Sequence, residues 1–409
     1  MIVGKKIRLH PTSEQETLFW KSAGTARWAY NYFLIRQEEV YQEYLVNGQK
    51  GRRGISEGTV RKEINRVLKP TTHAWLKDIG SNVMKQAVKT ADKAWKKYLK
   101  GLAWKPKFKS KKMTKPNFYV NYESLSRKNG GFHGEKIGFV RTAEPLPKLP
   151  HKKHYLNPWI SFDGKYWYLG FSYEVEAHRE SLTGDHIGID LGVKSLAVLY
   201  SVDTGQSKVI KNINKSRKVL RLEKKLKRAE RKRTRQLKSN VLRYEPIQRD
   251  GKRPGRKPVW KRPVPECKNI EKQRRKIKLI YRKLKNIRVN HLHQATTAIV
   301  KTKPSRVVLE TLNIQWMMKN KHLAKAISKA KLYEFRRQIE YKCQKCGIEV
   351  VFADKFFPSS KQCSSCGEIH HELTLSDRMF SCSCGLHIDR DLNAAINLAR
   401  YTPSKIAHN

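Results

Sequence analysis

Residues Cys363 to Asn397 read CSSCGEIHHELTLSDRMFSCSCGLHIDRDLNAAIN. A C-x-x-C pair (Cys363, Cys366) and a C-x-C pair (Cys382, Cys384) stand directly before an amphipathic helix with an acidic start. Short-spaced cysteine pairs hold tetrahedral Zn²⁺ through their thiolates. A helix N-terminus favours carboxylates, because its free N–H groups and its dipole attract negative charge. The stretch therefore reads as a metal ribbon running into a helix that presents Asp389 and Asp391. All seven cysteines but Cys267 lie between residues 343 and 384, in pairs, which favours metal over disulfides. Cys267 reads as an ordinary small apolar thiol.

Spacing leaves two ligand sets open. One is Cys363, Cys366, Cys382 and Cys384. The other joins Cys343 and Cys346 to Cys363 and Cys366, a spacing that also suits a zinc ribbon. The C-x-C knuckle of the first set is tight, so His370, His371 or His387 could replace one of its thiolates. Either set leaves no open coordination position, which implies a structural role.

The rest of the composition narrows the partner. The chain has 409 residues, with 87 Lys and Arg against 35 Asp and Glu, for a net charge of +52. That length suggests two to four domains. A chain so basic repels itself unless a polyanion is bound, and nucleic acid releases counterions when its phosphates are neutralised. No apolar run reaches the ~18 residues of a membrane span. The opening MIVGKKIRLHPTSEQE lacks a signal-peptide core, so a cytoplasmic, nucleoid-associated protein without a membrane partner is expected.

Working back along the chain, residues 1–10 alternate as a strand. Thr12 and Ser13 open a helix that Asn47 and Gly48 close, with Gly24 as a candidate break that would make it a two-helix unit. Helices from Ser56 to Leu68 and from Ser81 to Leu99 follow. The basic loop LAWKPKFKSKKMTKPNF interleaves lysines with Trp104, Phe108 and Phe118. That pattern suits phosphates plus base stacking, or equally a linker with its aromatics tucked into a core. Residues 117–176 read as strands, with a hairpin turning at Asp163-Gly164. Long basic helices over 214–240 and 269–300 should pair as a hairpin, separated by a Pro- and Arg-rich segment (245–268) that reads as a flexible loop. A further helix over 323–341 and a strand over 348–353 lead into the ribbon.

Three carboxylates stand at element ends. Asp190 closes the apolar strand IGID, Glu310 closes VVLE, and Asp391 starts DLNAAINLAR, with Asp389 as its rival. Like charges brought together raise each other's pKa, and a divalent cation relieves that cost. Hard oxygen ligands suit Mg²⁺ or Mn²⁺, and such ions support phosphodiester hydrolysis.

The segments RLHPTSEQ, GTARWAYNYFL, GIDLGVKSLAV, VVLETLNIQWMMKNKHLAKAIS, FRRQIEYK, PSSKQCSSCG and DRDLNAAINLA together resemble the TnpB family, transposon-encoded RNA-guided nucleases related to type V CRISPR effectors. The resemblance implies an α+β multidomain fold. A RuvC-like RNase H fold nuclease would carry a zinc-ribbon insertion, and an N-terminal β-barrel would carry an inserted helical domain. The boundaries it implies are 1–10 and 117–180 for the barrel and 11–116 for the helical domain. The nuclease would take 181–355 and 386–402, the ribbon 356–385, and a tail 403–409. The resemblance implies Asp190, Glu310 and Asp391 as catalytic Mg²⁺ ligands, and Cys363, Cys366, Cys382 and Cys384 for Zn²⁺. It suggests Arg378 as a residue holding the scissile strand. Its implied partners are a guide RNA from the transposon end and double-stranded target DNA, cut beside a short transposon-adjacent motif. The competing expectations are a non-cleaving RNA-guided repressor and a guide-independent transposase. The 245–268 segment fits the family pattern poorly.

Overall fold

The computed structural model describes residues 1–51, 54–150, 153–176, 181–247, 255–374 and 377–403. Residues 404–409 of the expected tail and 177–180 of the expected barrel segment lie outside them. The chain divides into two compact units, Met1–Val175 and Glu176–Asn409.

The first unit begins with strand β1 (Ile2–His10) and helix α1 (Ser13–Val46). A capping box fixes the helix start: Thr12 Oγ1 accepts from the Gln15 N–H, and Gln15 Oε1 accepts from the Thr12 N–H. Contrary to expectation, α1 does not divide at Gly24. Its buried face runs on through Phe19, Ala23, Ala26, Ala29, Tyr30, Phe33 and Leu34, and one glycine costs only about 1 kcal/mol. Helices α2 (Glu57–Glu63, continued by a π-turn at Ile64–Leu68) and α3 (Ser81–Leu99) pack beside it. Strands β2 (Asn117–Tyr119), β3 (Ser126–Lys128), β4 (Gly131–Gly134), β5 (Gly138–Thr142), β6 (Leu156–Phe162) and β7 (Trp167–Glu174) join β1 in one seven-stranded sheet, ordered β2-β6-β7-β1-β5-β4-β3. Among the described residues no pairing joins β2 to β3. Sheet and helices share one core, in which Phe19 packs on Phe118 and Trp167.

The second unit is built on a five-stranded sheet. Strands β8 (His186–Leu191), β9 (Ser195–Ser201) and β10 (Ser207–Lys211) form an antiparallel meander. Helix α4 (Arg217–Ser239), strands β11 (Val241–Ile247) and β12 (Gly255–Trp260), and helix α5 (Lys268–Lys301) come next. Strand β13 (Arg306–Leu309) then inserts parallel to β8. Helices α6 (Ile314–Met317), α7 (Ala324–Ala330) and α8 (Leu332–Cys346) lead to β14 (Glu349–Phe352), parallel to β13. The order is β10-β9-β8-β13-β14. The ribbon contributes β15 (Met379–Ser381) and β16 (His387–Asp389), and helix α9 (Arg390–Ala399) closes the fold.

Two expectations need correction here. The 245–268 segment is not simply a loop: β11 and β12 pair antiparallel as a ribbon between the long helices, with residues 248–254 outside the described set. Pro246 and Pro258 are tolerated because both strands of a two-stranded ribbon are edges. The helix expected over 323–341 is two helices, broken where Lys331 takes a left-handed φ of 58°. Helices α4 and α5 do pair, through Val219, Leu226, Ala229, Ile277, Ile280 and Leu284. No helix among the described residues is long and apolar enough to cross a membrane.

The central strands are apolar on both faces because both are covered. Ile187, Ile189, Leu191, Val307 and Leu309 share a core with α5 and α8 residues. The opposite face carries Val308, which packs with Leu398 of α9, and Gly188, where α9 crosses closely.

Candidate active site

That opposite face also carries the acids. Strands β8 and β13 are parallel with Ile189 beside Leu309. The next residues in register are therefore Asp190 and Glu310, side by side at the strand ends and on the α9 face. Helix α9 lies across β8 and holds Asp391 in its first turn. Asp389 is the N-cap instead: its Oδ1 accepts from the Asp391 N–H (2.9 Å) and the Leu392 N–H (3.3 Å). Capping occupies Asp389, while the Asp391 carboxylate makes no hydrogen bond or ion pair among the described residues.

Asp190 keeps some solvent exposure but is set deep among protein atoms. Burial, then the charges of Glu310 and Asp391, push its carboxyl up to about 8, against the pull of Arg390. Burial also raises Glu310, again opposed by Arg390. The carboxylate oxygens nevertheless stand farther apart than the thiols of the ribbon, the latter all within 4.8 Å of one another. An unpaired acidic cluster of this kind is unfavourable by itself and fits a hard divalent cation.

Arg378 is exposed, and its side chain has no hydrogen bond or ion pair among the described residues. The arginine whose charge reaches the acids is Arg390, anchored to the carbonyls of Thr374 and Asp377. Sequence reading passed over it, although it stands between the two aspartates of DRD.

In the ribbon, Cys363, Cys366, Cys382 and Cys384 converge. Sγ of Cys363 lies 3.6 Å from that of Cys384, and Cys366 lies 3.5 Å from Cys382. A tetrahedron with ~2.3 Å bonds has edges of about 3.8 Å, so the four fit one zinc ion. Gly367 (φ 84°) and Gly385 (φ 90°) supply the left-handed turns that close both knuckles. Burial opposes ionisation of Cys363, but the N–H groups of Cys366 and Ser365 outweigh it and bring its thiol down to about 6. The rival pair is not part of this cluster: Cys343 is fully buried on α8, in the core under the sheet. Of the three histidines, His370 comes nearest, its Nε2 3.4 Å from Cys382 Sγ. His387 is bonded to Ser381.

Two asparagines of α9 tie ribbon to helix. Asn393 donates to the Gln362 carbonyl (2.7 Å) and accepts from the Ser364 N–H (3.0 Å). Asn397 donates to the Ser359 (2.8 Å) and Gln362 (2.7 Å) carbonyls. Their i, i+4 spacing puts both on one face, the signal by which the sequence could have shown them.

In the first unit, the basic loop divides. Phe118 is core, whereas Trp104 is 94% and Phe108 62% exposed. Asn31 pins the loop through both the N–H and the carbonyl of Lys109.

Comparison with known proteins adds three matched regions. Residues 1–45 match a helix-turn-helix domain model of the OrfB_IS605 type, and 170–321 match the OrfB_IS605 probable-transposase model. Residues 333–398 match the Cas12f1-like TNB domain. A Streptomyces pristinaespiralis protein named as an RNA-guided DNA endonuclease is 27% identical over 96% of this chain and 87% of its own length. An Escherichia coli K12 protein of the same description is 26% identical over 96% and 90%. A mimivirus TnpB-like protein is 20% identical over 98% and 73%. A solved Cas12f1–sgRNA–target DNA complex aligns over 98% of this chain and 99% of its own, at 18% identity and a TM-score of 0.36. Over nearly its whole length, the chain is similar in sequence to proteins described as RNA-guided DNA endonucleases and as TnpB-like.

Proposed function

We propose that the chain is an RNA-guided, divalent-metal-dependent DNA endonuclease, encoded by an insertion-sequence transposon and cutting double-stranded DNA beside a transposon-adjacent motif. The observation that carries this reading is the convergence of Asp190 and Glu310 from adjacent parallel strands with Asp391 from α9. Three antiparallel strands followed by two parallel ones support an RNase H-type, RuvC-like core over 181–355 and 386–402, with the ribbon as an insertion at 356–385. The first unit would divide into a barrel-like sheet (1–10, 117–180) and helices (11–116) that hold RNA and read the adjacent motif, with Trp104 and Phe108 free to stack on bases.

In this reading Asp190, Glu310 and Asp391 hold Mg²⁺ or Mn²⁺. The ion, when bound, activates water and stabilises the leaving oxygen. Asp190 would have to give up its proton to hold the ion. Arg390 offsets the negative charge of the acids, and Asp389 fixes the helix start that presents Asp391. Asn393 and Asn397 position the ribbon on that helix, and Arg378, exposed on the ribbon, would hold the scissile strand.

Purified with its co-expressed RNA, the protein is expected to cut matching DNA in Mg²⁺ and to lose that activity with EDTA or RNase. Cutting that persists after RNase would favour a guide-independent transposase, and guided binding without any cutting a repressor.

The raised Asp190 carboxyl also gives a pH dependence. Below about pH 8 it holds a proton that an incoming cation must displace. Mn²⁺ affinity should therefore climb by up to about tenfold per pH unit between pH 6 and 8 and flatten above. Titration calorimetry in buffers of different ionisation enthalpy reads the released proton, and a flat affinity over that range would remove Asp190 from the site.

For the ribbon, metal analysis should find about one zinc per chain. Cys384→Ser should lose it and Cys346→Ser should keep it. The reverse result would assign the zinc to the other cysteine set.

A further inference from the structure

The ribbon carries a second group of metal-ligating side chains, beside the four thiols and joined to them at one sulfur. Glu368, His370 and Cys382 bring a carboxylate oxygen, a ring nitrogen and a thiol within 4.8 Å of one another. His370 Nε2 lies 3.4 Å and Glu368 Oε2 3.3 Å from Cys382 Sγ, and the nitrogen and oxygen lie 3.8 Å apart. Zinc with bonds of ~2.3 Å to sulfur and ~2.0 Å to nitrogen and oxygen has tetrahedral edges of about 3.5 Å to the sulfur and about 3.3 Å between the other two. The three atoms therefore outline one face of a zinc tetrahedron. Only the nitrogen–oxygen edge is wide, and the half-exposed Glu368 side chain has room to close it.

Local structure holds these groups in place. Ile369 pairs with Gln362 in an isolated antiparallel bridge, so Glu368 and His370, on either side of it, project to one face. The His370 ring stands edge-on to that of Phe380, with centroids 5.1 Å apart, and Phe380 is fully buried. Ser383 Oγ donates to Glu368 Oε2 (3.0 Å), the kind of outer contact that orients a ligating carboxylate. Charge favours an ion here as well. Four thiolates around one Zn²⁺ leave the ribbon's metal centre net negative, and a sulfur with a free lone pair can share that charge with a second cation. Thiolate and imidazole suit zinc and give little to Mg²⁺.

We propose that Glu368, His370 and Cys382 form a second zinc site on the ribbon, in which the Cys382 thiolate bridges the two ions. This rests on the four-thiolate zinc site described above. Among the described residues no fourth His, Cys, Asp or Glu joins the group, so the second ion keeps a position for water or an anion from solution. With three protein ligands, one of them shared, it is held more weakly than the first. It is lost on dialysis and returns as free zinc rises. When bound, it ties the segment carrying Glu368 and His370 to the second knuckle.

The test uses the full chain in excess Mg²⁺, which competes for the acids of the second unit, while free Zn²⁺ is raised into the micromolar range. Wild type should hold the first ion after dialysis and take up the second in the titration. His370→Ala and Glu368→Gln should keep the first ion and bind the second at least about tenfold more weakly. With an NMR-active cadmium isotope in place of zinc, wild type should give a pair of metal signals split by coupling between them, which a shared sulfur transmits. This last readout needs no variant, so it stands even if a substitution disturbs the ribbon's fold. The proposal is overturned if wild type takes up no second ion, if both variants retain that ion, or if the cadmium signals are uncoupled, since the second ion would then sit elsewhere. It is also overturned if His370→Ala weakens the first ion alone, because His370 would then be only an outer partner of the four thiolates. Dialysed wild type without any zinc would instead remove the ribbon's zinc site itself, a different result from each of these.

Discussion

Replacing Asp190 with asparagine is expected to reduce DNA cleavage by on the order of 10³-fold or more, with RNA and target-DNA binding retained. The substitution keeps the shape of the side chain and removes its charge. Of the three acids, Asp190 is the one on which both others act: burial, Glu310 and Asp391 together push it up to about 8. A cation bound there relies on its negative charge, and a neutral amide cannot replace it. Stability supplies an independent readout. The folded-state pKa of Asp190 lies above the ordinary aspartate value of roughly 3.9. Its neutral form therefore fits the metal-free fold, and that contribution is full below about pH 4 and lost as pH rises through about 8. Asparagine escapes the loss. Metal-free Asp190→Asn should thus melt higher than wild type at pH 8, with little difference at pH 4. Wild-type cleavage rates in the variant would falsify the assignment, and equal melting at pH 8 would show that Asp190 is not a buried, crowded acid.

Gly188→Ala is expected to be the most damaging small substitution in the second unit. A Cβ at Gly188 would lie 2.1 Å from the Ala395 carbonyl oxygen and 2.3 Å from the Ala399 nitrogen. These are backbone atoms of α9, which cannot rotate aside, so the helix itself must move. Overpacking usually costs about 1–3 kcal/mol, and here the obstacle is rigid, so the upper part of that range is expected. The displaced helix carries Asp391 at its start and holds the ribbon through Asn393 and Asn397. Cleavage should fall together with the melting temperature, and the ribbon should become more accessible to chelators. Asn393→Ala should affect chelator access with a smaller thermal shift, because it releases the ribbon without moving the helix. A Gly188→Ala protein that melts and cuts like wild type would mean that α9 does not cross β8 so closely.

Local patterns in the sequence carried much of this protein. Apolar strands ending in acids, paired cysteines and an acidic helix start are all encoded within a few residues. The long basic helices were expected over 214–240 and 269–300 and are observed at Arg217–Ser239 and Lys268–Lys301. Their period of apolar residues follows directly from helix geometry. Gly24 and the 245–268 segment were misread for the opposite reason. There the local signals of glycine and proline were overridden by a continuous buried face in one case and by pairing of β11 with β12 in the other.

The choices that spacing left open were made by tertiary structure. Asp389 and Asp391 are indistinguishable as letters two residues apart, yet one caps α9 and the other is left free beside Asp190. Both cysteine sets suit a ribbon by spacing, yet α8 buries Cys343 in the core while the two glycine-closed knuckles bring the other four thiols together. Arg378 and Arg390 both precede or enter the final helix, and only the position of the latter puts its charge on the acids. Sequence determined which residues could do chemistry and on which element each would sit. The register between β8 and β13, and the close crossing of α9 over Gly188, decided which of them meet. Such meetings join residues far apart in the chain, and only the packed core fixes them.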